Sequence, residues 1–299
     1  MRILLFGKSG QVGWELQRSL APLGEIVALD RSDRSPLTGN LEELDGLART
    51  VRDARPDVIV NAAAYTAVDK AESEPDLART VNTTAPGLLA REAAGIDAWL
   101  VHFSTDYVFD GSGTEPRRED DATGPLNVYG RTKLEGEERI RESGCRHLIL
   151  RTSWVYASRG RNFARTMLRL AMERDSLDVI DDQVGAPTGA DLLADVTAHM
   201  VSAAQLRPAL AGTYHCVAAG ETSWHDYACH AIEFARSAGE PVRVSRENIR
   251  RISSAAFQAP AKRPANSRLS TRKLRDAFGL ALPDWRPGVN RMLTEILEK

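Results

Sequence analysis

Tyr129-Gly-Arg-Thr-Lys133 sets a phenol and an ammonium four residues apart, which on a helix puts them on one face. A free tyrosine titrates near about 10 and is a poor acid at neutral pH. A neighbouring cation draws that value toward the working range, and the pair becomes a general acid for a carbonyl oxygen. With six tyrosines and six lysines in 299 residues, chance supplies only about 0.1 such spacings. A second constellation lies at the start of the chain, where Gly7, Gly10 and Gly13 form G-x-x-G-x-x-G. Glycines at this spacing permit a tight turn, close approach of backbone to a pyrophosphate, and close helix–strand packing. Gly7-Lys8-Ser9 also ends like a P-loop, but that motif needs glycine where Arg2 stands.

The elements around these residues give them a context. Met1–Phe6 is continuously apolar after Arg2, as a strand covered on both faces would be, and it is too short for a signal peptide. The glycine loop follows, then a helix-like pattern over Trp14–Leu23 ended by Gly24, then a strand at Glu25–Asp30. Asp30 stands where an acid would bind adenosine ribose hydroxyls, while Arg31 and Arg34 are near enough to take a 2′-phosphate. Further strands are expected at Asp57–Val60, Trp99–Phe103, His147–Arg151 and Leu177–Ile180, with helices at Leu41–Arg55 and Ala85–Ala94 between them. Small, hydroxyl or aromatic residues follow several strand ends: Asn61-Ala-Ala-Ala-Tyr65, Ser104-Thr-Asp106 and Thr152-Ser-Trp154. Those are the positions at which open α/β sheets bind ligands.

This alternation predicts an α/β fold, a Rossmann-type doubly wound parallel sheet with a smaller, mixed C-terminal substrate-binding lobe. The expected division is a dinucleotide-binding domain of residues 1–153 plus part of 177–218, with residues 154–176 and 219–299 forming the second, smaller lobe.

Composition narrows the partners. The chain is 42% hydrophobic and 27% charged, as globular domains are, with a net charge of −2. Such a balance lacks the basic field of nucleic-acid or anionic-membrane binders, and no apolar run approaches the roughly 18 residues of a membrane span. Neither partner is expected. Cys145, Cys216 and Cys229 form no C-x-x-C and are odd in number, which points to a reducing, cytoplasmic compartment. His215, Cys216, His225, Cys229 and His230 repeat no zinc-finger or zincin spacing and read as ordinary core residues. Glu119-Asp-Asp121 reads as a solvated loop.

The glycine loop together with Tyr129 and Lys133 resembles the extended short-chain dehydrogenase/reductases. Other stretches narrow the resemblance to the dTDP-4-dehydrorhamnose reductase family. They are Leu4-Leu-Phe-Gly-Lys8, Asn61-Ala-Ala-Ala64, Thr66-Ala-Val-Asp-Lys-Ala-Glu72, Ser104-Thr-Asp-Tyr-Val-Phe109, Asn127-Val-Tyr-Gly130 and Arg151-Thr-Ser-Trp-Val-Tyr-Ala157. Asp182-Gln183, Gly185-Ala-Pro-Thr-Gly-Ala190, Arg263-Pro264, Asn266-Ser-Arg-Leu269 and Leu282-Pro-Asp-Trp285 extend it through the rest of the chain.

The resemblance implies NAD(P)H-dependent reduction of the C4 ketone of dTDP-4-dehydro-L-rhamnose, the last step of dTDP-rhamnose synthesis for cell-surface polysaccharide. NADPH is the expected cofactor, with NADH also accepted. Tyr129 would be the proton donor, Lys133 its electrostatic partner, and Thr105 would stand where most short-chain reductases have serine. Cofactor contacts would come from Gly7, Gly10, Gln11, Val12, Gly13, Asp30, Arg31, Asn40, Leu41, Ala63, Ala64, Tyr65 and Thr66, with Tyr129 and Lys133. Substrate contacts would come from Ser104, Thr105, Tyr129, Trp154, Asn266 and Arg268, with Trp154 on the sugar and Arg268 at the diphosphate. Thr105-Asp106 is followed by Tyr107, whereas the related 4,6-dehydratases carry a glutamate there. The missing second acid favours simple reduction over water elimination. Asn40 and Tyr65 stand where many members have Asp and His. Some members dimerise around Mg2+ through acids matching Glu15, Asp191 and Glu295; here the middle acid is one methylene shorter, and the three are expected as separate surface acids. Two alternatives remain open, another sugar-nucleotide reductase or epimerase and a non-catalytic NADP-binding regulatory subunit.

Overall fold

Alternate residues of an extended strand point to opposite faces, and the apolar strands of this chain bury both. The computed structural model describes residues 1–33, 36–257 and 259–298; Arg34, read above as a 2′-phosphate contact, lies outside the described residues. In chain order the strands are β1 (Arg2–Phe6), β2 (Glu25–Leu29), β3 (Val58–Asn61), β4 (Trp99–Thr105), β5 (Arg146–Thr152), β6 (Val155–Tyr156), β7 (Leu177–Ile180), β8 (Val184–Gly185), β9 (Thr188–Gly189), β10 (Gly212–His215), β11 (Thr222–Ser223) and β12 (Ile249–Ile252). The α-helices are α1 (Gln11–Leu20), α2 (Leu44–Ala54), α3 (Val68–Ala71), α4 (Pro75–Arg79), α5 (Ala85–Gly95), α6 (Val128–Glu142), α7 (Phe163–Glu173), α8 (Ala190–Leu206), α9 (Trp224–Ser237), α10 (Arg272–Phe278) and α11 (Trp285–Leu297).

Six strands make one parallel sheet in the order β10-β5-β4-β3-β1-β2. Ile3, Leu5, Val58, Val60, Val101 and Leu148 face the side covered by Leu16 and Leu20 of α1 and Leu193 and Met200 of α8. Their neighbours Leu4, Phe6, Ile59, Leu100 and Ile149 face Leu47 and Val51 of α2, Leu89 of α5 and Ile140 of α6. The chain leaves β1 for β2 on one side and returns to β3 on the other. The crevice outside the strand ends therefore opens between β1 and β3, where doubly wound sheets bind ligands.

Three elements differ from the sequence reading. The sixth strand of the central sheet is β10, which periodicity did not reveal because Gly-Thr-Tyr-His is short and weakly apolar. Leu177–Ile180 is a strand, but it pairs in parallel with β12 in a separate two-stranded sheet. Helix α1 also starts at Gln11, earlier than Trp14, since its first turn lies inside the glycine loop. The open edge of β10 is covered by a loop: the His215 backbone N–H donates to Glu119 Oε1 at 2.9 Å, so Glu119 is more than a solvated acid. Beyond β5, two further apolar clusters join α7, α9 and α11 with β7 and β12.

Helix α6 is held at both of its exposed flanks. Its N-cap Asn127 accepts from the Gly130 N–H at 2.8 Å and donates to the Lys262 carbonyl at 2.7 Å. A π-helical turn at Thr80–Thr84 links α4 to α5 and turns Asn82 inward, where its amide pairs with the backbone of Tyr65 (2.9 and 3.1 Å) and with the Thr132 hydroxyl (3.3 Å). The loop after β3 is thereby tied to the helix that carries Tyr129 and Lys133.

Candidate active site

A cleft of about 480 Å³ opens over the C-terminal ends of β1, β3 and β4. Gly7 begins it with φ of +86°, and a Cβ there would sit 2.8 Å from the Ala63 nitrogen. Gly13 lies beneath, where a Cβ would collide with the Gly7 carbonyl, so α1 packs directly on the turn. Helix α1 has no side-chain cap, which leaves its first amide N–H groups turned to the cleft. That arrangement is an anion cradle, and it fits a dinucleotide pyrophosphate.

The cleft lining includes Gly7, Gly10, Gln11, Val12, Asp30, Arg31, Asn40, Leu41, Ala63, Ala64, Tyr65, Thr66, Tyr129 and Lys133 from the sequence reading. Ala62 and Thr152, read above at strand ends, line it as well, as do Ser9, Gly39, Glu42, Leu77, Val81, Phe103 and Val155, which were not foreseen. Several of them immediately neighbour motif residues, and adjacency was the available signal. Asp30 accepts from the Ser32 N–H (2.9 Å) and hydroxyl (2.6 Å), and these bonds hold its carboxyl below the usual range. Asn40 is buried with its amide on Glu43 (3.1 Å) and on the Glu42 N–H (3.2 Å). The Tyr65 hydroxyl donates to Glu74 at 2.6 Å, which pushes its pKa up to about 12.

Tyr129 and Lys133 rise from α6 into the inner end of the cleft. Burial pushes the Tyr129 phenol up to about 12, partly offset by a hydrogen bond with Thr105. The sequence led us to expect a value drawn down by Lys133, but in this structure desolvation dominates. It acts on the lysine too, lowering Lys133 to about 8 against the opposing charge of Glu137. Lys133 Nζ donates to the Phe103 carbonyl at 2.6 Å and lies 3.1 Å from His102 Nε2. Thr105 Oγ1 donates to Asp106 Oδ1 (3.1 Å) and accepts from the Tyr107 N–H (3.2 Å). Asp106 is buried and raised to about 6 by burial, against the opposing hydrogen bonds of Ser267 and Thr105.

The residues read as substrate contacts fall into two groups. Ser104 and Thr105 stand at the end of β4 beside Tyr129, although the Ser104 hydroxyl is engaged by Glu137 Oε1 at 2.5 Å. Trp154, Asn266 and Arg268 gather around Gly185 at the lobe. Trp154 has φ of +49°, a strained conformation for a bulky residue, and stacks on Trp224 with centroids 3.6 Å apart at 13°. Asn266 uses its amide to hold the carbonyls of Ser112 (3.3 Å) and Glu115 (2.9 Å). Arg268 is paired with Glu221 at 2.6 Å. Trp224 and Glu221 were missed because only the fold brings them to these partners.

Glu15, Asp191 and Glu295 line one small pocket instead of standing apart on separate helix surfaces. Arginines accompany them: Arg291 lies 3.8 Å from Asp191 and 3.3 Å from Glu295, and Arg18 is 3.4 Å from Glu15. His225 gathers with Asp181 and Asp226, although Arg251 already pairs with both acids at 2.6 and 2.8 Å. No helix among the described residues is long and apolar enough to cross a membrane.

The family model described as the RmlD substrate binding domain matches residues 1–298. A curated dTDP-4-dehydrorhamnose reductase of Escherichia coli K12 is 56% identical over 296 residues, covering 99% of this chain and 98% of the relative. Among solved structures, a dTDP-4-dehydrorhamnose reductase from Clostridium acetobutylicum ATCC 824 is similar with a TM-score of 0.88 and 34% identity over the full length of both chains. One from Bacillus anthracis Ames, solved in complex with NADP, has a TM-score of 0.85 and 34% identity, covering 98% of this chain and 99% of its own.

Proposed function

Because this chain belongs to the RmlD substrate binding domain family, we propose that it is an oxidoreductase that reduces the C4 ketone of dTDP-4-dehydro-L-rhamnose with NAD(P)H, yielding dTDP-L-rhamnose. The observation that carries this reading is the meeting of Tyr129, Lys133 and Thr105 at the inner end of a glycine-cradled cleft. The relatives' names, with the NADP complex of one of them, support the substrate and the cofactor.

When bound, the nicotinamide cofactor supplies the hydride that reaches the sugar C4. The chain supplies position and a proton. Gly7, Gly10 and the N-terminus of α1 hold the pyrophosphate, and Asp30 takes adenosine ribose hydroxyls. The Thr105 hydroxyl turns its one proton from Asp106 to the ketone oxygen, and the Tyr129 hydroxyl protonates that oxygen as charge develops there. Lys133 orients the nicotinamide ribose and stabilises the phenolate left behind. Trp154 packs on the sugar, and its strained backbone is consistent with a residue fixed for that purpose. Arg268 takes the diphosphate once the diphosphate replaces Glu221.

The finer assignments belong to the same proposal. NADPH is preferred modestly over NADH, because Arg31 borders the cleft beside Asp30 and can meet a 2′-phosphate. The central sheet with its glycine loop serves the cofactor, and the elements after β5 serve the sugar nucleotide. The enzyme works in the cytoplasm. Pairing of Glu15, Asp191 and Glu295 with arginines favours catalysis that does not depend on Mg2+.

Purified protein supplied with enzymatically made dTDP-4-dehydro-L-rhamnose will oxidise NADPH, giving dTDP-L-rhamnose. Equal or faster turnover of other keto-sugar nucleotides would shift the assignment to another reductase or epimerase. Cofactor binding without any oxidation would point to the regulatory alternative.

A further inference from the structure

Beneath Tyr129, a row of hydrogen bonds runs across three adjacent elements. Asn61 ends β3, His102 lies opposite it on β4, and Lys133 comes down from α6. None of the three is more than 1% exposed, so their polar atoms depend on one another and on neighbouring protein groups. The Ala63 N–H donates to Asn61 Oδ1 at 3.2 Å, which fixes the amide with its Nδ2 toward the imidazole. Asn61 Nδ2 lies 3.2 Å from His102 Nδ1, and His102 Nε2 lies 3.1 Å from Lys133 Nζ.

Donor and acceptor accounting leaves one arrangement. Asn61 Nδ2 can only donate, so His102 Nδ1 must accept, and a neutral imidazole then carries its proton on Nε2. That proton points at Lys133 Nζ. An amine can receive it through its lone pair, whereas an ammonium has only hydrogens to offer. The ammonium form needs the other imidazole tautomer, which sets N–H against N–H at Asn61 unless the amide turns and leaves Ala63 unpaired.

We infer that His102 is a positioning residue which, held in one tautomer by Asn61, disfavours the ammonium form of Lys133 and so sets the pH at which reduction falls off. The inference deepens the reductase reading and rests on it for its kinetic part. Burial acts on Lys133 in the same direction, lowering it to about 8. Glu137, one turn further along α6, favours the ammonium, but its carboxylate is paired with Arg151 of β5 and with Arg141. Tyr129, one turn back, is uncharged at neutral pH, and Asp106 faces the tyrosine from the end of β4. His102 itself stays neutral, because burial first and Lys133 second push its pKa well below the ordinary range. It therefore acts by which nitrogen bears the proton and carries no charge of its own.

Long-range 1H–15N spectra of the free enzyme test the tautomer without substrate, with the His102 signals identified by their loss in His102→Gln. Above the lysine titration we expect the Nε2–H form, giving way as Lys133 gains its proton; an Nδ1–H form throughout overturns the proposal. Kinetics then test the consequence. A glutamine can turn its carbonyl toward the ammonium, so His102→Gln will move the alkaline limb of kcat upward by about one pH unit, with the plateau within about tenfold of wild type. A lower plateau with an unmoved limb would mean a packing role and overturn the inference. If the tautomer is as expected but the sugar nucleotide is not reduced, the reductase reading falls with the kinetic part of the inference, and only the tautomer assignment stands.

Discussion

Glu137 of α6 and Arg151 of β5 form a two-pronged ion pair, with Nε at 2.9 Å from Oε1 and Nη2 at 2.7 Å from Oε2, and both side chains are shut off from water. The Ser104 hydroxyl and Arg141 complete the satisfaction of the carboxylate. The pair joins α6 to β5 and keeps the face bearing Tyr129 and Lys133 turned toward the cleft.

Removing one partner leaves the other buried and uncompensated, which typically costs about 3–5 kcal/mol. Glu137→Ala is therefore expected to lower the melting temperature sharply, and Arg151→Ala comparably. Burial alone would raise the Glu137 pKa, but Arg151, Ser104 and Arg141 reverse that, so the folded value lies below the ordinary one. The sign follows: the stabilisation is complete above the unfolded carboxylate range and is lost as pH falls through the depressed folded value. Denaturant melts between pH 7 and pH 3 should show wild type losing stability at the acid end, and Glu137→Gln losing less. Parallel curves for the two proteins would mean that Glu137 contributes nothing through its charge.

Tyr129→Phe removes the proposed proton donor and little else. General acid catalysis is worth about 10²–10⁴, so kcat should fall by at least that range while NADPH still binds. Near-wild-type turnover of the phenylalanine variant would exclude Tyr129 as the acid.

Arg31 borders the cleft next to Asp30, whose carboxylate is kept ionised by Ser32. Arg31→Ala should raise KM for NADPH several-fold more than KM for NADH. Equal changes in both would remove Arg31 as the phosphate contact.

Arg291 and Arg18 already pair with the acids Glu15, Asp191 and Glu295. Activity is expected to survive EDTA, with at most a change in association state seen by light scattering. Complete loss that Mg2+ restores would show that the arginines give way to a metal that catalysis needs.

Some of this protein is decided by residues close together in the chain. The apolar run of β1, the glycine turn and the start of α1 follow from local periodicity and from backbone freedom at Gly7. The pairing of Tyr129 with Lys133 follows from helical spacing, and Glu137 continues the same face one turn on. The fold class was legible for the same reason, since strand and helix periods alternate along the sequence. What tertiary structure decided are meetings across long loops, to which periodicity is blind. Nothing local to Gly212–His215 marks it as the sheet's edge strand, and nothing in Leu177–Ile180 names Ile249–Ile252 as its partner. Trp154 was legible, but the indole of Trp224 that stacks on it was not. His102 read as one residue of an apolar strand. Its bond to a lysine 31 positions away exists because parallel register sets it opposite Asn61 while α6 crosses above. Register and helix crossing are properties of the packed core, so the partners of Lys133 are settled by tertiary contacts although the lysine itself was visible in the sequence.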